Sequence, residues 1–376
     1  MYERIKRMLV KEFIQIFRDP KMKGMIFLTP IIQVLVFGYA VTTDVKHIAT
    51  AIYDLDNSVA SRELVGRFVK SGYFDIVKYI TGEAQVRRLI DRGKVRVVLR
   101  MNKGFEDDLR AGRTAQLQVI VDGTDSNTAG VVLDYSARIV RQFSQKILIT
   151  RFTRIKGPAR KPARVEMQTR AWFNENLESR NFYVPGVIAI IVMLITLMLT
   201  SMAVVREKEI GTMEQIMVTP ITQTEFILGK TVPFAIIGIA DVIVIIVIGI
   251  FWFGVPIRGN LFILFIATVL YLMTTLGIGL FISTVSKTQQ EAMMSAFFFY
   301  FPAVLLSGFM FPVANMPVVV QWLTYLNPLR YFLVIIRGIF LKGVGPGILW
   351  PQMAALAVMG IATLWLASRR FRKTLA

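Results

Sequence analysis

A single carboxylic acid interrupts one of the most apolar stretches of the sequence, at Asp241 in the run IIGIADVIVIIVIGI. An ionisable side chain is costly inside a membrane, so it normally faces other protein groups or a water-filled cavity. Asp241 could therefore line a transport path or relay protons, or it could make a structural contact with a Ser, Thr or Arg of another helix. Proton relays usually use several such groups. The apolar runs of this chain hold one acid, and both interpretations stay open.

A second group of acids lies in the charged stretch AVVREKEIGTMEQIMVTPITQTEFILGK, residues 203–230. These acids are Glu207, Glu209, Glu214 and Glu225. The segment TMEQIMV is predicted to form a short helix that ends before Pro220, because proline cannot continue a helix and restricts the residue before it. A short exposed helix between two hydrophobic stretches suits docking to a cytoplasmic partner. An ordinary solvated turn is the alternative.

The remaining motifs contain residue types that could take part in binding or catalysis, but structural roles explain them better. The sequence LGKT at 228–231 is like the end of a phosphate-binding loop, but that loop needs glycine at the position of Thr224. The chain is therefore not predicted to hydrolyse ATP itself. Asp122 and Asp125 could bind Ca²⁺ or act in acid–base chemistry, or they could cap a helix. With His47 as its one histidine and no cysteine, the chain cannot build a His- or Cys-based metal cluster.

The composition indicates a protein that faces lipid. Of 376 residues, 54% are hydrophobic and 18% are charged, with a mean hydropathy of +0.55, whereas soluble domains carry about 25% charged residues. The net charge of +19 would suit either nucleic-acid binding or basic flanks of membrane spans. No nucleic-acid motif accompanies the charge, so membrane topology is the better explanation and no nucleic-acid partner is expected.

The hydropathy pattern predicts a polytopic α-helical membrane protein with six transmembrane helices, each near the 20 apolar residues that cross a bilayer. The predicted spans are 24–43, 184–205, 232–253, 261–285, 292–312 and 350–368. Residues 1–23 are predicted to form a basic amphipathic helix on the cytoplasmic membrane surface. The alternative is a signal peptide, but the apolar run 24–43 exceeds the usual length of a signal-peptide core.

Basic residues at the span ends predict the orientation. Seven Lys and Arg residues precede the first span, and four lie in the tail 369–376, so both termini are expected in the cytoplasm. Residues 206–230 are then cytoplasmic, and residues 44–182 form a large extracytoplasmic domain. The segment 313–349 is too apolar for a solvated loop, and its helices are too short to cross. It is therefore predicted to contain outer re-entrant helices.

The extracytoplasmic domain is predicted to be α/β, because β-rich runs alternate with helical patterns. The predicted strands are 48–54, 74–80, 95–101 and 117–123, and the predicted helices are 58–71, 83–92, 104–111 and 126–153. About 140 residues are enough to bury an independent core. The size of the domain also suggests a periplasmic adaptor as a partner.

Several motifs, in order along nearly the whole chain, resemble those of ABC-2 type exporter permeases. The run REKEIGTMEQIMVTP is similar to the family's cytoplasmic coupling helix, and RAWFNENLESRNFYVPG at 170–186 is similar to the approach to its second span. The runs FPAVLLSGFMFPVANMP at 301–317 and LNPLRYF at 326–332 resemble its fifth span and outer helices. The layout resembles the subgroup with a large domain after the first span.

This resemblance implies a transport subunit that is not itself an enzyme and holds no cofactor. It implies pairing with a second permease, identical or related, and binding of a cytoplasmic ABC ATPase subunit that carries ATP and Mg²⁺. It also implies a bacterial inner membrane, with membrane lipids around the spans. The residues expected to couple to the ATPase are Glu207, Glu209, Gly211, Thr212, Met213, Glu214, Met217 and Pro220. In this hypothesis Glu207 and Glu209 brace the helix, while Met213, Ile216 and Met217 enter a groove on the ATPase.

The transport path or outer gate is expected to include Asp241, Phe299, Phe301, Pro302, Arg330 and Arg337. The aromatic run AFFFYFP at 296–302 would favour a hydrophobic or amphipathic cargo, or it could be a packed or lipid-facing helix. An ion-coupled secondary transporter that uses Asp241 is the main rival, but such transporters show internal repeats, and none is convincing here. A membrane sensor would need a cytoplasmic output domain, and a membrane enzyme would need clustered acids, His or Cys.

Overall fold

The computed structural model describes residues 2–40, 47–156, 172–174, 178–213, 218 and 222–370. The chain forms two compact units, one built from Met1–Thr42 with Arg170–Ala376 and the other from Thr43–Thr169. The second unit starts one residue before the segment 44–182, which the sequence predicts as a separate α/β domain, and otherwise lies within it.

The chain begins with a basic helix followed by an apolar one. Helix α1 spans Tyr2–Arg18 and helix α2 spans Pro20–Lys23. A π-helical stretch, Gly24–Leu28, then leads directly into helix α3, Thr29–Ala40. The apolar part of this helical run, Ile26–Ala40, is shorter than the other apolar helices of this unit that could cross a membrane.

The second unit contains a four-stranded mixed sheet with helices on both faces. Its elements in chain order are β1 Ile48–Asp54, α4 Val59–Lys70, β2 Phe74–Tyr79, α5 Glu83–Asp91, β3 Val97–Met101, α6 Phe105–Ala111, β4 Leu117–Val121 and α7 Ser126–Lys156. The strand order is β2-β1-β3-β4, in which β1 is parallel to β2 and β3, and β4 is antiparallel to β3. The four predicted strands and four predicted helices are all present.

The core of this unit lies on both faces of the sheet. Side chains of α4, α6 and α7, including Phe68, Phe105 and Phe143, pack on one face. Val86 and Leu89 of α5 pack on the other face. The central strands are buried on both sides, which explains their nearly continuous apolar sequence.

The rest of the chain is helical. Its elements are α8 Ser179–Ser201, α9 Val205–Ile210, α10 Gln223–Phe251, α11 Leu261–Val285, α12 Gln289–Leu305, a 3₁₀ turn Val313–Asn315, α13 Val318–Thr324, α14 Pro328–Arg337, a π-helical stretch Gly338–Lys342 and α15 Pro346–Arg370. Among the described residues, four helical segments are long and apolar enough to cross a membrane: Ser179–Ile210, Thr224–Phe251, Leu261–Val285 and Pro346–Arg370.

Two of the six predicted spans correspond to shorter helices. The first is the apolar run Ile26–Ala40, which ends with α3. The second is helix α12, which has 17 residues. A further apolar pair, Val318–Thr324 with Pro328–Lys342, is bent by 79° at the break between its helices. Counting the bent pair as one span gives up to five candidates. The fold is thus that of a polytopic helical membrane protein.

Helix α8 is the central helix of this unit. Residues Val184–Met193 are all buried. In the most apolar 18-residue stretch of Ser179–Ile210, 89% of the residues are buried, whereas the corresponding fraction for Pro346–Arg370 is 17%. A helix that is apolar all round belongs inside a bundle. The last residues of α8 and the charged segment after it are therefore held among the ends of several other helices.

Candidate functional site

The short helix α9 carries the charges of the predicted coupling segment and ends at a glycine. Gly211 has φ +79° and its N–H donates to the carbonyl of Lys208 over 3.2 Å. This left-handed conformation is easily adopted only by glycine, so Gly211 fixes where the helix stops. The four charged residues of this short helix, Arg206 to Glu209, contact different neighbours.

Three of these four charges bind the ends of other helices. Arg206 Nη2 lies 3.1 Å from Asp19 Oδ2, at the junction of α1 and α2. Lys208 Nζ donates to the carbonyl oxygens of Thr284 and Ser286, 2.9 and 3.3 Å away, where α11 ends. Helix C-termini leave carbonyl groups unpaired and attract cations.

Glu209 binds the beginning of helix α12. Its Oε1 accepts the backbone N–H of Gln289 over 2.8 Å, and the Gln289 side chain also donates to its carboxylate. Helix N-termini leave N–H groups unpaired and favour anions. Glu209 thus has its partners within the chain, at the first residue of α12.

The fourth charge, Glu207, is at the centre of a buried charge cluster formed by Lys11, Glu12, Glu207, Thr212 and Lys230. Lys230 Nζ lies 2.7 Å from Glu207 Oε1 and 2.7 Å from Glu12 Oε1. Lys11 Nζ lies 3.0 Å from Glu207 Oε1, and the Thr212 hydroxyl donates to Glu207 Oε2. The side chains of Lys230, Glu207 and Glu12 are 2%, 3% and 5% exposed.

The cluster is electrically balanced, with two carboxylates and two ammonium groups. Buried charges are tolerated only when they are paired and hydrogen-bonded. The four charges come from three helices: α1 supplies Lys11 and Glu12, α9 supplies Glu207, and α10 supplies Lys230. The cluster therefore joins the N-terminal helix, the predicted coupling segment and the start of a membrane span.

A close approach of α1 to α10 brings these groups together. A Cβ atom at Gly229 would lie 2.8 Å from Met8 Cγ, so a larger residue at this position would push the helices apart. Helix α10 begins with a capping box in which Thr222 Oγ1 accepts the N–H of Glu225 and Glu225 Oε2 accepts the N–H of Thr222. This cap fixes the start of α10, the helix that carries Lys230.

The structure places the other predicted coupling residues as follows. Met213 is half-buried and packs against the apolar cluster that contains Val204, Phe226 and Leu280. Thr212 binds Glu207 as described above. Glu214, Ile216, Met217 and Pro220 lie outside the described residues.

The predicted gate residues fall into separate places. Asp241 is 4% exposed, and among the described residues its Oδ2 has no hydrogen-bond partner. One turn earlier, Gly238 packs closely on Thr196 and Leu272, so Asp241 faces the interior of the bundle. Its position agrees with the rule that intramembrane acids face protein.

The aromatic and basic gate residues line the ends of α12 and α14. Phe299 is half-buried, whereas Phe301 and Pro302 are exposed. The Arg330 guanidinium lies 4.1 Å from the centre of the Tyr325 ring, and that of Arg337 lies 3.7 Å from the centre of the Phe182 ring. Arg337 Nη1 also donates to the carbonyl of Gly308 over 3.4 Å.

Sequence reasoning missed Lys11, Glu12 and Lys230. In the sequence, Lys230 stands in LGKT, the run that is like the end of a phosphate-binding loop. A signal for Glu12 was present, because it lies four residues from both Met8 and Ile16 and therefore on the buried stripe of α1. An acid on an apolar stripe indicates a buried partner of opposite charge. In the described part of the chain, no group of three His, Cys, Asp or Glu residues is arranged to hold a metal ion.

Comparison of the sequence with known proteins shows the family to which the chain belongs. The sequence model of a family described as "ABC-2 family transporter protein" matches residues 24–369. The chain is 35% identical to the probable multidrug ABC transporter permease YbhR of Escherichia coli, over 99% of both chains. It is 34% identical to the probable multidrug ABC transporter permease YbhS, over 98% of this chain and 97% of that one. It is 30% identical to the inner membrane transport permease YhhJ of Escherichia coli, over 86% and 85%.

Proposed function

This chain belongs to the ABC-2 transporter family, and on that basis we propose that it is the permease subunit of an ATP-driven exporter. A separate cytoplasmic ABC ATPase subunit would bind ATP and Mg²⁺ and hydrolyse the nucleotide. A second permease, identical or related, would complete the transport path. The chain itself would carry cargo and not act as an enzyme.

The contacts of residues 206–209 are the observation that carries this proposal. These residues bind α1, α10, and the facing ends of α11 and α12. A force applied to the segment 206–230 would therefore reach four parts of the bundle at once. That is the requirement for a coupling segment, which must convert movement of an ATPase on the membrane surface into movement of the spans.

Within this proposal the predicted coupling residues have two different tasks. Glu207 and Glu209 position the segment from inside the chain, because Glu207 is buried and Glu209 binds Gln289. Direct contact with the ATPase would fall to the residues that follow, with Ile216 and Met217 as the apolar contacts. Val218 is 85% exposed, which is consistent with a contact surface in this region.

The proposed topology keeps six spans with both termini in the cytoplasm of a bacterial cell and the protein in its inner membrane. Two shorter elements, the helical run that ends with α3 and helix α12, would be the remaining two of the six spans. The bent pair α13 and α14 would form the outer re-entrant helices, and the α/β unit would lie outside the membrane, where it could bind a periplasmic adaptor. Basic flanks at both ends support this orientation.

The proposed cargo is hydrophobic or amphipathic. Helix α12 exposes Phe298 and Phe301, which are 84% and 60% exposed, and these rings could contact either lipid or cargo. The relatives YbhR and YbhS are named as probable multidrug permeases, so efflux of several compounds is the function proposed for this chain.

The test is to purify the full chain from mild-detergent membranes and identify the proteins that accompany it. We expect an ABC ATPase to be retained, and Met217→Glu to reduce its retention and its stimulated activity. Val69→Glu changes an exposed valine on a helix of the other unit and serves as the matched control. Absence of an ATPase even after crosslinking would overturn the proposal and favour ion-driven transport through Asp241.

A further inference from the structure

Helix α1 has an apolar side that no described residue covers. Met8, Glu12 and Ile16 are buried toward α10, whereas Val10, Ile14 and Phe17 are 51%, 53% and 48% exposed. Those three exposed side chains lie on neighbouring turns and form one stripe. A helix that is held on one side and apolar on another offers a surface to a molecule outside the chain.

A basic groove runs beside this stripe. It has a volume of about 720 Å³ and its lining includes Arg7, Val10, Lys11, Ile14, Arg18 and Arg206. Among the described residues, Asp19 is the acid that lines it, and it is paired with Arg206. Arg7 and Arg18 are exposed on α1. The excess of positive charge selects an anionic ligand.

The apolar stripe continues onto the hydrophobic helical run that follows α1. The Phe17 ring stacks on the Phe27 ring with 6.1 Å between their centres. Phe27 and Leu28 are 49% and 59% exposed. A free phosphate would make no use of this apolar extension, whereas the acyl chains of a lipid would lie along it.

We propose that this groove binds the headgroup of an anionic phospholipid. Arg18, which is next to Phe17 at the end of α1, contacts the phosphate, and Arg7 adds positive charge to the groove. The acyl chains lie along Phe17, Phe27 and Leu28. A basic, partly apolar helix binds anionic lipid in two ways: its apolar side chains contact the acyl chains, and its basic side chains attract the headgroups. This inference goes beyond the proposed function and does not depend on it.

Lys11 connects the lipid groove to the buried charge cluster. Its side chain is 49% exposed and lines the groove, and its Nζ lies 3.0 Å from Glu207 Oε1. A phosphate in the groove attracts the same ammonium group that Glu207 binds. Occupancy of the groove therefore alters the cluster, while Lys230 remains as the second partner of Glu207.

The experiment is native mass spectrometry of the purified full chain in detergent, titrated with phosphatidylglycerol or phosphatidylcholine. We expect tighter retention of phosphatidylglycerol, and a loss of affinity of about fivefold for each arginine removed in Arg7→Gln, Arg18→Gln and the double variant. The matched control is Arg88→Gln with Arg92→Gln, two exposed arginines of the other unit, which should bind both lipids as the unchanged protein does.

Any of three results would overturn the proposal. The first is equal retention of the two lipids. The second is unchanged phosphatidylglycerol binding in the double variant when its elution profile shows a folded protein. The third is displacement of phosphatidylglycerol by millimolar inorganic phosphate, which would make the groove a site for small anions. Neither readout involves ATP or cargo, so failure here is separate from failure of the exporter proposal.

Discussion

Lys230 and Glu207 form a buried ion pair in which the ammonium nitrogen lies 2.7 Å from a carboxylate oxygen. Lys230 is on the first turns of a membrane span, and Glu207 is on the charged turn that follows the preceding span. The pair links two consecutive spans at their shared end and is joined to the N-terminal helix through Lys11 and Glu12.

We expect Glu207→Gln and Lys230→Gln each to destabilise the protein strongly. Either change replaces the balance of two carboxylates and two ammonium groups with a net charge of one unit. An uncompensated charge in a buried site typically costs about 3–5 kcal/mol. The double variant retains Lys11 with Glu12, which is neutral, so its loss should be smaller than the sum of the single losses. Thermal unfolding of the three purified variants measures this. Losses that simply add would show that the two side chains do not interact.

Gly229→Ala should separate α1 from α10. The added methyl group would meet the Met8 side chain, with 2.8 Å to Cγ, and overpacking of this kind costs about 1–3 kcal/mol. Shortening the neighbour in Met8→Ala with Gly229→Ala should restore part of the loss. The control is Gly66→Ala in α4, where an added Cβ meets nothing within 4 Å. Thermal unfolding and cargo-stimulated ATPase activity report the effect, and failure of Met8→Ala to rescue would remove this contact from the explanation.

Asp56 is expected to stabilise helix α6 in a pH-dependent way. Its carboxylate accepts the backbone N–H groups of Gly104, Phe105 and Glu106 at 2.8–3.1 Å. Burial alone would raise the pKa of Asp56, but hydrogen bonds from Ser58 and from these three N–H groups outweigh it and lower the pKa. Asp56→Ala should cost about 1 kcal/mol, as loss of a helix cap does.

A lowered pKa in the folded state fixes the sign of the pH effect. The stabilisation is fully present above the pKa of the unfolded state, near 3.8, and is lost as the pH falls through the lower folded value. Hydrogen exchange of the amides of residues 104–106, corrected for intrinsic rates, measures it in the full chain. Asp107→Asn on the same helix is the control. Equal protection in Asp56→Ala and the unchanged protein at neutral pH would contradict the prediction.

Asp241→Asn separates the two transport mechanisms. If ATP drives export, the substitution should leave ATP-dependent transport near the rate of the unchanged protein, since no proton needs to be held at this site. Transport into inside-out vesicles with ATP, with and without a protonophore, gives the answer. Loss of transport in Asp241→Asn together with sensitivity of the unchanged protein to the protonophore would favour the ion-coupled alternative.

Much of the fold could be predicted because it depends on local patterns. The strand β1 was predicted with the observed bounds, Ile48–Asp54, since short apolar runs between turn residues indicate buried strands. The four long apolar helices followed from hydropathy. The two shorter runs, at α3 and α12, show the limit of this reasoning: an apolar stretch in the sequence does not specify where its helix begins or ends.

The centre of the candidate site could be predicted only in part, because its partners are far apart in sequence. Glu207 was singled out, and the structure turns it inward to Lys11 and Lys230. A helical pattern shows which side of α1 is buried, but not which helix covers it. Glu12 and Lys230 are recognised as partners only when α1 and α10 are seen in contact.

The buried charge cluster also constrains the order in which the chain can assemble during synthesis. Lys11 and Glu207 are separated by 196 residues, and a ribosome that adds about 5–20 residues per second needs about 10–40 s to make the intervening chain. During that interval Lys11 and Glu12 are made, but their partners do not yet exist. The first helix can therefore take its final place only after the third apolar helical run has begun to emerge, and premature release of the nascent chain would leave it unanchored.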